Sequence, residues 1–95
     1  MKPKCYFYIL RCNDDTKYYG HTNNLSERFN DHLKGYVRPT KNKEPLLAYY
    51  EEFDTCSQAF NREMQFKSGK TRKETIEKMI KSFSVAKCQG FNSRR

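Results

Sequence analysis

Residues 5–12, CYFYILRC, carry aromatic or other apolar side chains at every position except Arg11. So short an apolar run predicts a strand, whose period of two puts Phe7 and Ile9 on one face and Tyr8 and Leu10 on the other. The next four residues, NDDT, read as a turn, and KYYGH (17–21) reads as the returning strand of a hairpin. The period then changes. Leu25, Phe29 and Leu33 recur every fourth residue, the spacing of one helix face. Asn23 or Asn24 can cap that helix, and Asn24 with Glu27 has capping-box spacing. It is predicted to run to about Lys34 and stop at Gly35. Residues 36–45, YVRPTKNKEP, form a polar loop, and LLAYYEEF (46–53) reads as a third strand. Thr55 with Gln58 opens a second helix that ends near Ser68–Gly69. Thr71 with Glu74 opens a third, carrying Ile76, Met79, Ile80 and Phe83 on one stripe. The order β-β-α-β-α-α predicts an α+β fold, a mixed α/β sandwich with a three-stranded sheet flanked by helices. We place this domain over residues 1–83 and expect 84–95, poor in apolar residues and basic at its end, to be a loose tail.

Several polar residues fall where the pattern calls for apolar ones. Arg28 and His32, one turn apart, flank the Leu25–Phe29–Leu33 stripe. On the second helix the inward positions Cys56, Ala59 and Phe60 continue to Glu63 and then Lys67. A buried carboxylate is costly unless it is paired, hydrogen-bonded or bound to a metal. Glu63 therefore has two readings: an internal salt bridge with Lys67 or an arginine, or a ligand for a hard cation such as Mg²⁺. Arg28 and His32 likewise read as a snorkelling arginine and a boundary histidine, or as functional groups. With Tyr8 and Tyr18 they make a plausible set for phosphodiester hydrolysis. A metal polarises the phosphate, arginine neutralises growing charge, and an imidazole or phenol activates water. No Ser–His or Cys–His spacing points to acyl chemistry, and there is no phosphate-cradling glycine loop.

Composition narrows the classes. A chain of 95 residues holds one modest core. Its apolar fraction is only 36%, so seven Phe and seven Tyr must supply much of the buried area. No apolar run approaches the roughly 20 residues of a membrane span. The N-terminus lacks a signal-peptide pattern, because Arg11 interrupts a short apolar stretch, and a cytoplasmic location is the default expectation. Cys5, Cys12, Cys56 and Cys88 form no C-x-x-C pair and are expected to be reduced, structural thiols. The net charge is +8. From Lys67 to the C-terminus nine basic residues face only Glu74 and Glu77, a balance that attracts polyanions or merely solubilises.

In order along the chain, YFYIL, YYG, HTNNLSERFNDH and NREMQFKSGKTRKE resemble the signature segments of the GIY-YIG nuclease superfamily. The likeness is to its small stand-alone members, related to the N-terminal domain of a repair excinuclease. It covers about residues 5–80, with Tyr6, Phe7 and Tyr19 departing from the Gly and Ile positions of the pattern. The resemblance implies metal-dependent DNA cleavage, with a structure-selective role in repair or recombination as one form of it. Tyr8, Tyr18, Arg28, His32 and Glu63 would be catalytic. Glu63 would hold one Mg²⁺ or Mn²⁺, Arg28 would contact the scissile phosphate, and Tyr8 or Tyr18 would be the general base, supported by His32. Lys67, Lys70, Arg72 and Lys73 would hold the DNA backbone with Arg28. Targeting would fall to DNA shape, a partner protein or a second copy of the chain. The alternative is a catalytically inactive nucleic-acid-binding module of the same fold.

Overall fold

The computed structural model describes residues 4–83 and 85–92. Strands β1 (Cys5–Arg11) and β2 (Lys17–Thr22) form the hairpin, and helix α1 (Leu25–Leu33) follows. A 3₁₀ turn over Arg38–Thr40 leads to β3 (Leu46–Phe53), then α2 (Cys56–Lys67), α3 (Lys73–Ser82) and α4 (Val85–Asn92). The sheet is antiparallel with order β2-β1-β3, so the most apolar strand lies in the middle. Tyr8 pairs with Gly20 on one side and Tyr50 on the other. The α+β sandwich expected from the pattern is the fold observed, with one helix added.

Alternation along β1 builds two cores. Tyr8 and Leu10 pack with Leu25, Phe29, Leu47 and Cys88, so α1 and α4 cover that face. Phe7 and Ile9 pack with Phe66 and Ile76, so α2 and α3 cover the other. The rings carry this packing: Phe7 stacks on Phe66 at 4.8 Å between centroids, and Phe83 lies against Tyr49 and Tyr50 at 4.8 and 5.1 Å.

Caps explain most helix ends. The Asn24 side chain accepts from Glu27 N, and Thr55 with Gln58 makes both bonds of a capping box. Gly35 and Gly69 adopt positive φ just past α1 and α2, the left-handed termination glycine permits. Thr71, expected to cap the third helix, does not. That helix starts at Lys73 with Arg72 as its cap residue and no side-chain cap bond, so Thr71 lies one residue too early. Phe83 also falls outside the helix, in extended conformation at its end.

Three further expectations are corrected. The α2 stripe turns inward at Ala59, Glu63 and Phe66, whereas Phe60 is 44% exposed and Cys56 is exposed too. Cys5 and Cys56 are bonded to each other, not reduced: the end of the hairpin and the start of α2 bring their Cα atoms to 4.9 Å. Cys12 and Cys88 are free and buried. Finally, 85–92 is helical rather than loose. Phe91 packs edge-on against Phe29 and Tyr50. Asn92 Oδ1 accepts from Leu47 N at 2.8 Å and its Nδ2 donates to Leu47 O at 3.1 Å, pairing the open edge of β3 as a neighbouring strand would. The remainder of the expected tail, residues 84 and 93–95, lies outside the described residues.

Candidate active site

Tyr8 stands at the centre of β1, and its phenol lies across Gly20 of β2. A Cβ at residue 20 would meet Tyr8 Oη at 2.5 Å, so only glycine lets the phenol through. Beyond Gly20 the hydroxyl reaches α1. Tyr8 Oη is 3.0 Å from His32 Nε2, and both residues are 1% exposed. Helical spacing sets Arg28 one turn before His32, and its guanidinium faces the hydroxyls of both Tyr8 and Tyr18. The Tyr18 ring closes the group, 4.9 Å from the His32 ring and 6.2 Å from Tyr8.

Glu63 arrives from α2, which covers the opposite face of the sheet beside edge strand β2. It is 6% exposed. Its Oε1 is 2.8 Å from His21 Nδ1 and its Oε2 is 2.8 Å from Lys67 Nζ. Two cationic or hydrogen-bonding partners offset the burial of the carboxylate. Lys67 Nζ also lies 6.0 Å from the centre of the Tyr18 ring. Tyr18 belongs to the α1 face, so the Glu63–Lys67 pair and the Tyr8–His32–Arg28 group meet past the edge of β2. The Glu63 charge is felt at Tyr8. Buried groups (Tyr8, His32, Glu63) thus sit behind a half-exposed rim of Tyr18, His21 and Arg28, with exposed Lys67 beside them.

Burial dominates the electrostatics. It raises the Tyr8 phenol well above its usual range, against the opposing pull of Arg28. Burial, reinforced by the Arg28 charge, lowers His32 to about 4, so its imidazole is neutral at pH 7. A neutral imidazole beside a phenol can take up a proton. A guanidinium and an ammonium on the rim can hold a phosphate.

The five residues singled out from the sequence therefore come together: Tyr8, Tyr18, Arg28, His32 and Glu63. Lys67 joins them. Lys70 and Arg72 on the connection from α2 to α3, and Lys73 at the start of α3, are exposed and outside this group. Sequence reasoning missed two members. His21 is a polar residue on the returning strand with no periodic signal, yet it holds Glu63 directly. Thr40, in the polar loop, is 0% exposed with its Oγ1 2.7 Å from His32 Nδ1. The alternative salt bridge considered for Glu63 is also present, with Lys67 as the partner.

A family model described as the GIY-YIG catalytic domain matches residues 4–79. The chain belongs to the GIY-YIG family. Among relatives of this GIY-YIG chain, a UPF0213 protein of Pediococcus pentosaceus is 43% identical over 79 residues, covering 81% of this chain and 82% of that protein. A UPF0213 protein of Streptococcus pyogenes serotype M5 is 39% identical over 75 residues, covering 77% and 82%. No solved structure matches it. Among the described residues no helix is long and apolar enough to cross a membrane.

The site can also be tested for a divalent cation. Among the described residues no three His, Cys, Asp or Glu side chains converge, so no cage of protein ligands is built. Glu63 is buried with His21 Nδ1 on one oxygen and Lys67 Nζ on the other, so a cation would take this carboxylate by displacing one of those partners. A hydrated hard cation takes one carboxylate and completes its shell with water and phosphate oxygens.

Proposed function

We propose that this protein is a metal-dependent endonuclease that hydrolyses DNA phosphodiester bonds, with Tyr8, Tyr18, Arg28, His32 and Glu63 as its catalytic set. The observation that carries this reading is the meeting of a buried phenol–imidazole pair with a buried carboxylate past one sheet edge.

In this reading Arg28 binds the scissile phosphate and neutralises charge that grows in the transition state. Lys67, Lys70, Arg72 and Lys73 hold the flanking backbone. Tyr8 orients the attacking water and takes its proton as the phenol's own proton passes to His32 Nε2, 3.0 Å away. The raised pKa of Tyr8 makes a standing phenolate unfavourable, so the phenol works as a relay into the neutral imidazole. Tyr18 positions the phosphate beside Arg28. Glu63 would hold Mg²⁺ or Mn²⁺, and such an ion supplies Lewis-acid polarisation and stabilises the leaving oxygen. A DNA substrate would be met in the cytoplasm, the location this reading takes. Targeting comes from DNA shape, a partner protein or a homodimer, with repair or recombination intermediates as the substrates to try first.

The test is nicking of supercoiled plasmid and cutting of flapped and branched duplexes with Mg²⁺ or Mn²⁺, beside EDTA and Glu63→Ala. Cleavage should need the metal and vanish in the variant. Failure to cut any substrate, with salt-sensitive DNA binding intact in both proteins, would favour the inactive binding module instead.

A further inference from the structure

We infer that Thr40 is a positioning residue that fixes His32 in the tautomer protonated at Nδ1, which leaves Nε2 free to accept the Tyr8 proton. The inference rests on the proposed role of Tyr8 and His32 and adds the residue that sets their direction. It follows from counting protons in a place with almost no water.

Tyr8, His32 and Thr40 are all at most 1% exposed, so each hydrogen must find a protein acceptor. Arg28 faces the Tyr8 oxygen and has only donors to offer it. The phenol's single proton must therefore leave toward an acceptor, and among the described residues the Tyr8 hydroxyl is paired with His32 Nε2 at 3.0 Å. That nitrogen is then unprotonated, and the neutral ring carries its proton on Nδ1. The Nδ1–H points at Thr40 Oγ1, 2.7 Å away. Thr40 can accept it because its own hydroxyl proton goes to Val37 O at 3.3 Å. One chain results: Tyr8 O–H to His32, His32 N–H to Thr40, Thr40 O–H to the Val37 carbonyl. The opposite assignment aims both Arg28 and His32 Nε2–H at the Tyr8 oxygen. It strands the buried phenol proton and takes the threonine hydroxyl off Val37 O, which keeps only the Thr40 backbone amide.

The local fold supports this direction. Val37 and Thr40 bracket the 3₁₀ turn over Arg38–Thr40, where Pro39 restricts the backbone, and Thr40 N also donates to Val37 O. The turn is tied down at its far end by Asn13 N donating to Lys43 O at 2.7 Å. Thr40 is thus presented to His32 by a braced segment, although its own side chain never approaches the rim. Groups that orient an imidazole through its second nitrogen set which nitrogen does the chemistry.

The experiment compares the native protein with Thr40→Val, which keeps the shape and removes the acceptor, and with Thr40→Ser, which restores it. Nitrogen-15 NMR of His32, in protein without metal or DNA, reads the tautomer. We expect Nδ1–H in the native and serine proteins and Nε2–H in the valine variant. Cleavage of plasmid should fall roughly 100-fold in Thr40→Val, near the lower end of what acid–base catalysis supplies, and recover largely in Thr40→Ser. DNA affinity should not change. A native His32 protonated at Nε2, or a valine variant that keeps the native tautomer, overturns the inference whatever the activity. Tyr8→Phe and His32→Ala separate the two levels. Native-like cleavage in those variants removes the relay itself, whereas their inactivity beside a fully active Thr40→Val removes only Thr40.

Discussion

Gly20 is the residue whose substitution speaks most directly about the site. Its missing side chain is the space the Tyr8 hydroxyl occupies, with 2.5 Å between that oxygen and a notional Cβ. Gly20→Ala must push the phenol off His32 or part β1 from β2. Overpacking of this kind costs about 1–3 kcal/mol, which denaturant titration would read, and cleavage should fall with it. An alanine variant of native stability and rate would show that the phenol does not need its present place. His32 makes a second, pH-dependent statement. Its folded pKa is lowered from 6.5 to about 4, first by burial and then by Arg28. The unfolded chain therefore binds this proton more readily. The resulting stability is complete above pH 6.5 and is lost as pH falls toward 4. Between pH 7 and 5 this amounts to about 2 kcal/mol. Denaturant melts at the two pH values should show the loss in the native protein and its absence in a folded His32→Gln variant.

At the scale of elements, α2 decides where Glu63 stands, and its first turn is held twice. Thr55 closes a capping box, and Cys56 is bonded to Cys5 at the start of β1. Thr55→Ala should cost about 1 kcal/mol. Cys56→Ser should cost about 2–4 kcal/mol, the usual contribution of a cross-link over a long loop. Equilibrium unfolding with and without a thiol reductant would check both, since reduction should lower the native protein to the level of Cys56→Ser and leave that variant unmoved. The elements themselves were mostly legible in the chain. The short apolar run CYFYIL, the four-residue repeat of Leu25, Phe29 and Leu33, and the caps at Asn24 and Thr55 act locally, so the sequence reveals them. Arg28, His32 and Glu63 were legible for the same reason, as polar residues breaking an apolar stripe. What was hidden depends on distant partners. The last helix has no apolar periodicity; Cys88, Phe91 and Asn92 hold it against Phe29, Tyr50 and Leu47. Cys5 and Cys56 stand 51 residues apart, and Thr40 acquires meaning only when the loop closes over His32.

The whole molecule carries a net charge of +8, and ion pairs distribute it unevenly. Glu77 holds Arg11 and Lys17, Glu51 holds Arg62, and Asp14 holds Lys43, so much of the positive charge on and around the sheet is neutralised internally. Lys70, Arg72 and Lys73 are different. They are exposed on the α2–α3 connection and the first residue of α3 and, among the described residues, form no ion pair. They follow the helix that brings Glu63 and Lys67 to the site, so we expect a DNA backbone lying over Arg28 and Lys67 to leave along them. Each phosphate contact contributes about −0.9 to the slope of log K against log salt on duplex DNA. Replacing all three with alanine should therefore flatten the slope by up to about 2.7, in anisotropy titrations of a duplex over roughly 50–200 mM salt. Affinity at the lowest salt should fall most, because that is where counterion release contributes most. A slope equal to that of the native protein would mean that DNA runs elsewhere over the surface and that only Arg28 and Lys67 meet it near Glu63.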